Sequence, residues 1–123
     1  MNNFLKIGAI AAFLSVAFGA FGAHALKEIL SPQMLEVFKT GVQYQFYHAL
    51  ALIILSFFIK LYPEQGLLKW SGIFFTLGII LFSGSLYALT LSGIKLLGII
   101  TPFGGLSFLA GWGIFFFAGY KLK

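Results

Sequence analysis

Four uncharged stretches, each long enough to cross a bilayer, divide this chain, and lysines mark the divisions. Residues 7–26, 40–59, 70–94 and 96–120 contain no Lys, Arg, Asp or Glu. Each is close to the roughly 20 residues that an α-helix needs to span the hydrocarbon core. Backbone inside lipid must satisfy its own N–H and C=O groups, which for a single segment means a helix. The spacing predicts helices over about 5–26, 42–61, 69–91 and 101–120, in a single transmembrane domain covering 1–123. The expected fold class is therefore all-α, an integral membrane four-helix bundle.

Composition points the same way. The chain is 60% hydrophobic and 9% charged, against roughly a quarter charged in soluble domains. A globule of 123 residues has too little interior to hide sixteen Phe side chains. The formal charge of +5 is flanking charge: lysines at helix ends snorkel or meet anionic headgroups. No basic run tracks a phosphate backbone, so nucleic acid is not an expected partner. Cys, Asp and Arg are absent, which removes disulfides, thiolate metal sites, iron–sulfur ligation and thiol catalysis.

The start, MNNFLKIGAIAAFLSVAFGAFGAHALK, imitates a signal peptide, with Ala23-His24-Ala25 as an A-x-A-like site. The apolar run is long enough to span, so we expect a retained helix. The intact mass should include residues 1–25; a mature N-terminus at Leu26 would overturn this. With four helices, both termini share one side. That side collects Lys6, Lys60, Lys69, Lys121 and Lys123, and the other carries Lys27, Lys39 and Lys95. Excess lysine marks the cytoplasm, so the expected location is the inner (cytoplasmic) membrane with both termini cytoplasmic.

Small residues form stripes that let helices approach closely in lipid. Helix 1 shows Gly8, Ala12, Ser15, Gly19 and Ala23; helix 3 shows Gly72, Thr76, Ser83, Tyr87 and Thr90; helix 4 shows Gly104, Ser107, Gly111 and Ala118. Gly8, Ser15, Gly19, Gly104 and Gly111 are the expected packing positions. Between helices 1 and 2, SPQMLEVFKTG reads as a short interfacial helix over about 32–41, with Ser31 as cap and Pro32 in the first turn. Thr101 reads as the cap of helix 4 and Pro102 as its first-turn proline.

Polar side chains gather in TGVQYQFYHALAL, residues 40–52. At about 100° per residue, Gly41, Tyr44, Gln45, His48 and Leu52 share the face turned to the bundle. Phe46, Leu50, Ile53 and Phe57 fall opposite, toward lipid. His24, Tyr87, Thr90 and Thr101, with Ser83 deeper, fall in the same outer half, whereas the inner half reads as almost wholly Ala, Leu, Ile, Phe and Gly. One explanation is structural: Gln and His hydrogen-bond between helices and fix register. Another is an outward-facing pocket for a lipid headgroup, quinone or other small ligand, lined by His24, Tyr44, Gln45, His48, Ser83, Tyr87 and Thr101. Ionisable residues inside membranes are often functional. A third is haem held by His24 and His48, two histidines read at similar depth; the helical wheel places His24 away from the small stripe and disfavours it. No metal site is expected, because a third strong ligand is missing. The three glutamates, Glu28, Glu36 and Glu64, all fall in loops, so a proton-coupled carrier is disfavoured. A hydrolase lacks an Asp or membrane Glu to orient the histidine.

Four separate blocks carry a family resemblance: GAFGAHAL at 19–26, FKTGVQYQFYHALAL at 38–52, LFSGSLYAL at 81–89, and TPFGG at 101–105 with Gly111-Trp112. Together they resemble the small membrane proteins of the domain-of-unknown-function 423 family, over essentially the full chain and in the same order. The resemblance implies a multi-helix integral membrane protein that keeps its first helix, and it implies no particular activity. The favoured reading is a non-enzymatic structural or accessory protein, serving membrane integrity or partnering another membrane protein. The second is a lipid-, quinone- or small-ligand-binding protein. No cofactor is expected. Expected partners are membrane lipids, further copies of the chain, or a larger membrane protein.

Overall fold

Helix boundaries follow a few helix-stopping residues. The computed structural model describes residues 3–122; Met1, Asn2 and Lys123 lie outside the described residues. Four helices are long and apolar enough to span: α1 (Asn3–Leu26), α2 (Pro32–Leu61), α3 (Leu67–Ser92), and α4 (Thr101–Lys121), the last led in by a 3-10 turn at Lys95–Ile99. No strand occurs among the described residues.

Ser31 starts α2, its hydroxyl accepting the Met34 N–H at 3.1 Å. Pro32 follows at the first turn, where its missing N–H costs nothing. Tyr62 leaves helical geometry just before Pro63 and closes α2. Gly93 ends α3 in the left-handed region (φ 76°), which a residue with a Cβ rarely adopts.

Two sequence expectations change in detail. Residues 32–41 are helical and correctly capped, but they run into 42–61 without a break, as one 30-residue helix. Nothing between them interrupts the ladder, since Gly41 packs in helical geometry against Tyr87. Thr101 is not the cap of α4. Ile100 occupies that position with no side-chain cap bond, and Thr101 is already helical. Its hydroxyl instead pairs with Ser85 Oγ of α3 at 2.6 Å, and the preceding 3-10 turn supplies the entry that a cap would otherwise organise.

One further feature was not expected. Five-residue π-helical turns interrupt α1 at Phe18–Gly22 and α3 at Ile79–Ser83. Each widens the helix locally and inserts one extra residue.

Consecutive helices run antiparallel. α1 lies along α2, α4 lies along α3, and α2 and α3 pack on one another between them. Lys6, Lys60, Lys69 and Lys121 consequently collect at one end, and Lys27, Lys39 and Lys95 at the other. Close approach depends on missing side chains. A Cβ on Gly8 would stand 2.8 Å from the Ala49 carbonyl oxygen, and one on Gly111 would stand 2.6 Å from the Phe75 ring. Ser15 is buried as expected, whereas Gly19 is largely exposed and meets only Val42. Leu52, Leu55, Leu68, Phe75, Phe108 and Ala118 form the dry core. Phe13, Phe21 and Phe116 point outward, as bulky residues of a membrane bundle should when lipid is as apolar as they are. The inner half is less purely apolar than the sequence suggests, because Ser56 and Ser71 are buried there.

Candidate functional site

The polar patch of α2 resolves into two interhelical locks, both built on the face expected to turn inward. Gln45 and His48 are buried, with 4% and 5% exposure. Three residues apart on a helix, they stand on neighbouring lines and reach different partners.

The first lock joins three helices. Gln45 Nε2 donates to the Ala11 carbonyl of α1 at 2.8 Å. Its Oε1 accepts from the Tyr87 hydroxyl of α3 at 2.7 Å. Gly41, one turn before Gln45, makes room for this: a Cβ there would stand 2.9 Å from the Tyr87 ring. The Gly41 carbonyl also accepts from Ser83 Oγ at 2.6 Å. Phe18 and Phe38 enclose the Tyr87 ring, with centroids at 5.4 and 5.2 Å. Glycine and glutamine at i and i+4 thus admit a tyrosine and hold it. Each such bond in lipid contributes about 0.6 kcal/mol on average and up to about 2 kcal/mol.

The second lock joins α2 to α4. His48 Nδ1 lies 2.7 Å from the Tyr44 carbonyl oxygen. A carbonyl can only accept, so Nδ1 carries the proton and Nε2 keeps the lone pair. That lone pair receives the Trp112 indole N–H at 3.0 Å. An indole N–H can only donate, so the assignment is self-consistent. The imidazole lies flat on Phe108, with centroids 3.5 Å apart and planes inclined by 9°. Phe75 and Trp112 flank it at 5.5 and 5.8 Å. His48 is thereby fixed as a neutral imidazole with both ring nitrogens engaged.

Of the seven residues read as ligand candidates, Gln45, His48, Ser83, Tyr87 and Thr101 all direct their polar atoms to other parts of the bundle. Tyr44 is 39% exposed and packs its ring on Phe82, with centroids at 4.8 Å. His24 is exposed on α1 and joins neither lock. The paired-histidine arrangement is not assembled. Contacts of Gly19 with Val42 and of Gly22 with Phe38 place His24 level with about residue 36 of α2, some twelve residues, or about 18 Å, along the helix from His48. A metal at His48 Nε2 would also have to displace Trp112. Among the described residues no cluster of three or more His, Asp or Glu could hold a metal ion.

Trp112 is the member of the second lock that sequence reasoning missed. In the sequence it stands out only as part of a Gly-Trp pair; the residue is 45% exposed, and its indole N–H turns to His48 Nε2.

Comparison with known proteins agrees with this architecture. The model of a protein family of unknown function, DUF423, matches residues 18–105. The chain is 45% identical to the membrane protein YwdK of Bacillus subtilis over 112 residues, covering 91% of each. It is 42% identical to the membrane protein SH2409 of Staphylococcus haemolyticus, covering 98% of each. It is 41% identical to the inner membrane protein YgdD of Escherichia coli, covering 97% of this chain and 90% of the relative. No solved structure matches the chain. With four spanning helices and relatives of this kind along nearly its whole length, the chain is an integral membrane protein belonging to the DUF423 family.

Proposed function

We propose that the protein is a non-enzymatic structural or accessory component of the inner membrane, with its termini on the cytoplasmic side. The observation that carries this reading is the engagement of Gln45, His48, Ser83 and Tyr87 within the bundle. All four bond to neighbouring helices or carbonyls, so none of these four is free to receive a polar substrate. Catalysis needs a group positioned to exchange a proton or attack a bond, and His48 is held by Tyr44 and Trp112 on both sides. The lysine distribution and the inner-membrane name of the Escherichia coli relative support the location.

His48→Ala should lower stability in detergent by about 2 kcal/mol, from the lost ring and the orphaned indole N–H. His48→Phe should lower it less, since stacking on Phe108 can persist. The check is thermal or denaturant unfolding, alongside native mass spectrometry of protein gently released from its own membrane. A His48→Phe variant that melts normally but loses a stoichiometric non-lipid mass would overturn the structural reading in favour of a ligand site.

A further inference from the structure

The His48–Trp112 lock and the Phe58–Phe115 ring contact join α2 to α4, and beyond the lock a trough opens between them toward the end that carries Lys95. One hollow of about 640 Å³ lies under the 3-10 turn, lined by Met34, Leu86, Leu89 and Lys95. A second of about 580 Å³ continues past Tyr44, Leu106 and Leu109 to Trp112. Phe82, Pro102 and Gly105 belong to both, so the two are one continuous trough floored by α3.

Its polarity is graded. The far end is closed by His48 and Trp112, whose polar atoms are engaged with one another. Thr101 is engaged with Ser85. Two polar groups on the trough remain without a partner among the described residues: the Lys95 ammonium at the mouth and the Tyr44 hydroxyl part-way down. The ion pair found among the described residues joins Lys39 to Glu36, not Lys95. Gly93 ends α3 sharply, and the 3-10 turn then brings Lys95 to the mouth. From Thr101 to Trp112, α4 advances about 16 Å, close to the roughly 15 Å hydrocarbon depth of one leaflet.

A cation at one end of an apolar channel one leaflet deep matches an anionic amphiphile standing in the bilayer. We infer that this trough holds one anionic phospholipid, with its phosphate on Lys95 and an acyl chain lying along α4 toward Trp112. The inference goes beyond the structural role proposed above and is separable from it, because its test leaves His48 in place.

The test uses the full chain in mixed micelles, titrated with phosphatidylglycerol or with phosphatidylcholine of the same acyl chains, and bound lipid is read by native mass spectrometry. One phosphatidylglycerol should be retained per chain in preference to phosphatidylcholine. Lys95→Gln should weaken phosphatidylglycerol about fivefold, the effect of one lysine near a charged surface, and leave phosphatidylcholine unchanged. Lys39→Gln, at the same end but off the trough, should change neither. Gly105→Leu should reduce both lipids by filling the channel; the nearest atom to a Cβ there is 4.0 Å away, in Phe82. Equal losses from Lys39→Gln and Lys95→Gln would show only nonspecific attraction and overturn the proposal. A normally melting Gly105→Leu variant with undiminished lipid would do the same. If Gly105→Leu fails to fold, the contrast between the two lysine variants decides.

Discussion

Gly104→Ala should unseat α4 from α3. A Cβ at position 104 would lie 2.6 Å from Phe82 Cα and strike the Phe82 backbone nitrogen as well. Backbone cannot rotate aside as a side-chain tip can, so the helices would have to separate. Loss of that contact would disturb Gly78 under Phe108 and Gly111 against Phe75, which lie on the same seam. We expect destabilisation at or above the top of the ~1–3 kcal/mol range that overpacking costs, read as loss of the folded fraction in denaturant or SDS titration. Gly113→Ala is the matched control: nothing lies within 4 Å of a Cβ there, and its stability should equal or slightly exceed that of the parent. A Gly104→Ala variant as stable as the parent would show that α3 and α4 do not meet at this seam.

Gln45→Ala should have the largest effect of any polar substitution, because a single amide ties α1, α2 and α3 together. Its removal leaves the Ala11 carbonyl with Ser15 Oγ at 2.8 Å, so that acceptor stays satisfied. The Tyr87 hydroxyl is left without its acceptor inside an aromatic enclosure. Two lost interhelical bonds and one stranded hydroxyl together cost about 2–4 kcal/mol. A double-mutant cycle with Tyr87→Phe isolates the bond itself, with an expected coupling of about 0.6–1.7 kcal/mol. Additive effects of the two substitutions would mean the hydrogen bond contributes nothing.

Legibility in the sequence differed between helices for a physical reason. α2 is a regular helix throughout its 30 residues, so a constant 100° rotation correctly placed Gly41, Gln45, His48 and Leu52 inward and Phe46, Leu50 and Phe57 outward. At the edges of the two faces it misplaced Tyr44, which is 39% exposed, and Ile53, which packs toward Gly8 of α1. The spans themselves were legible because lipid enforces their length and excludes charge. The partners of the α2 patch were harder to read. Tyr87 was read in the same patch as Gln45, though not as its bonding partner, and Trp112 stood out only as part of a Gly-Trp pair, with nothing in the spacing to tie it to His48. The equal depth read for His24 and His48 came from treating residue 42 as the start of the second helix. With α2 beginning at Pro32, the same count along the chain sets the two histidines on different levels. Thr101 resembled a cap by composition, yet the 3-10 turn before it was invisible to periodicity.

The widened turns at Phe18–Gly22 and Ile79–Ser83 bear on how this chain can change length. Removing one residue from an ordinary stretch of helix rotates everything beyond it by about 100°, which in α3 would carry Tyr87 away from Gln45. Removing one from a widened turn takes out the surplus residue and restores regular helix, with the flanking faces still in register. The two turns are therefore the places where α1 and α3 can lose a residue and keep their partners, and natural length variation within the spans should fall there.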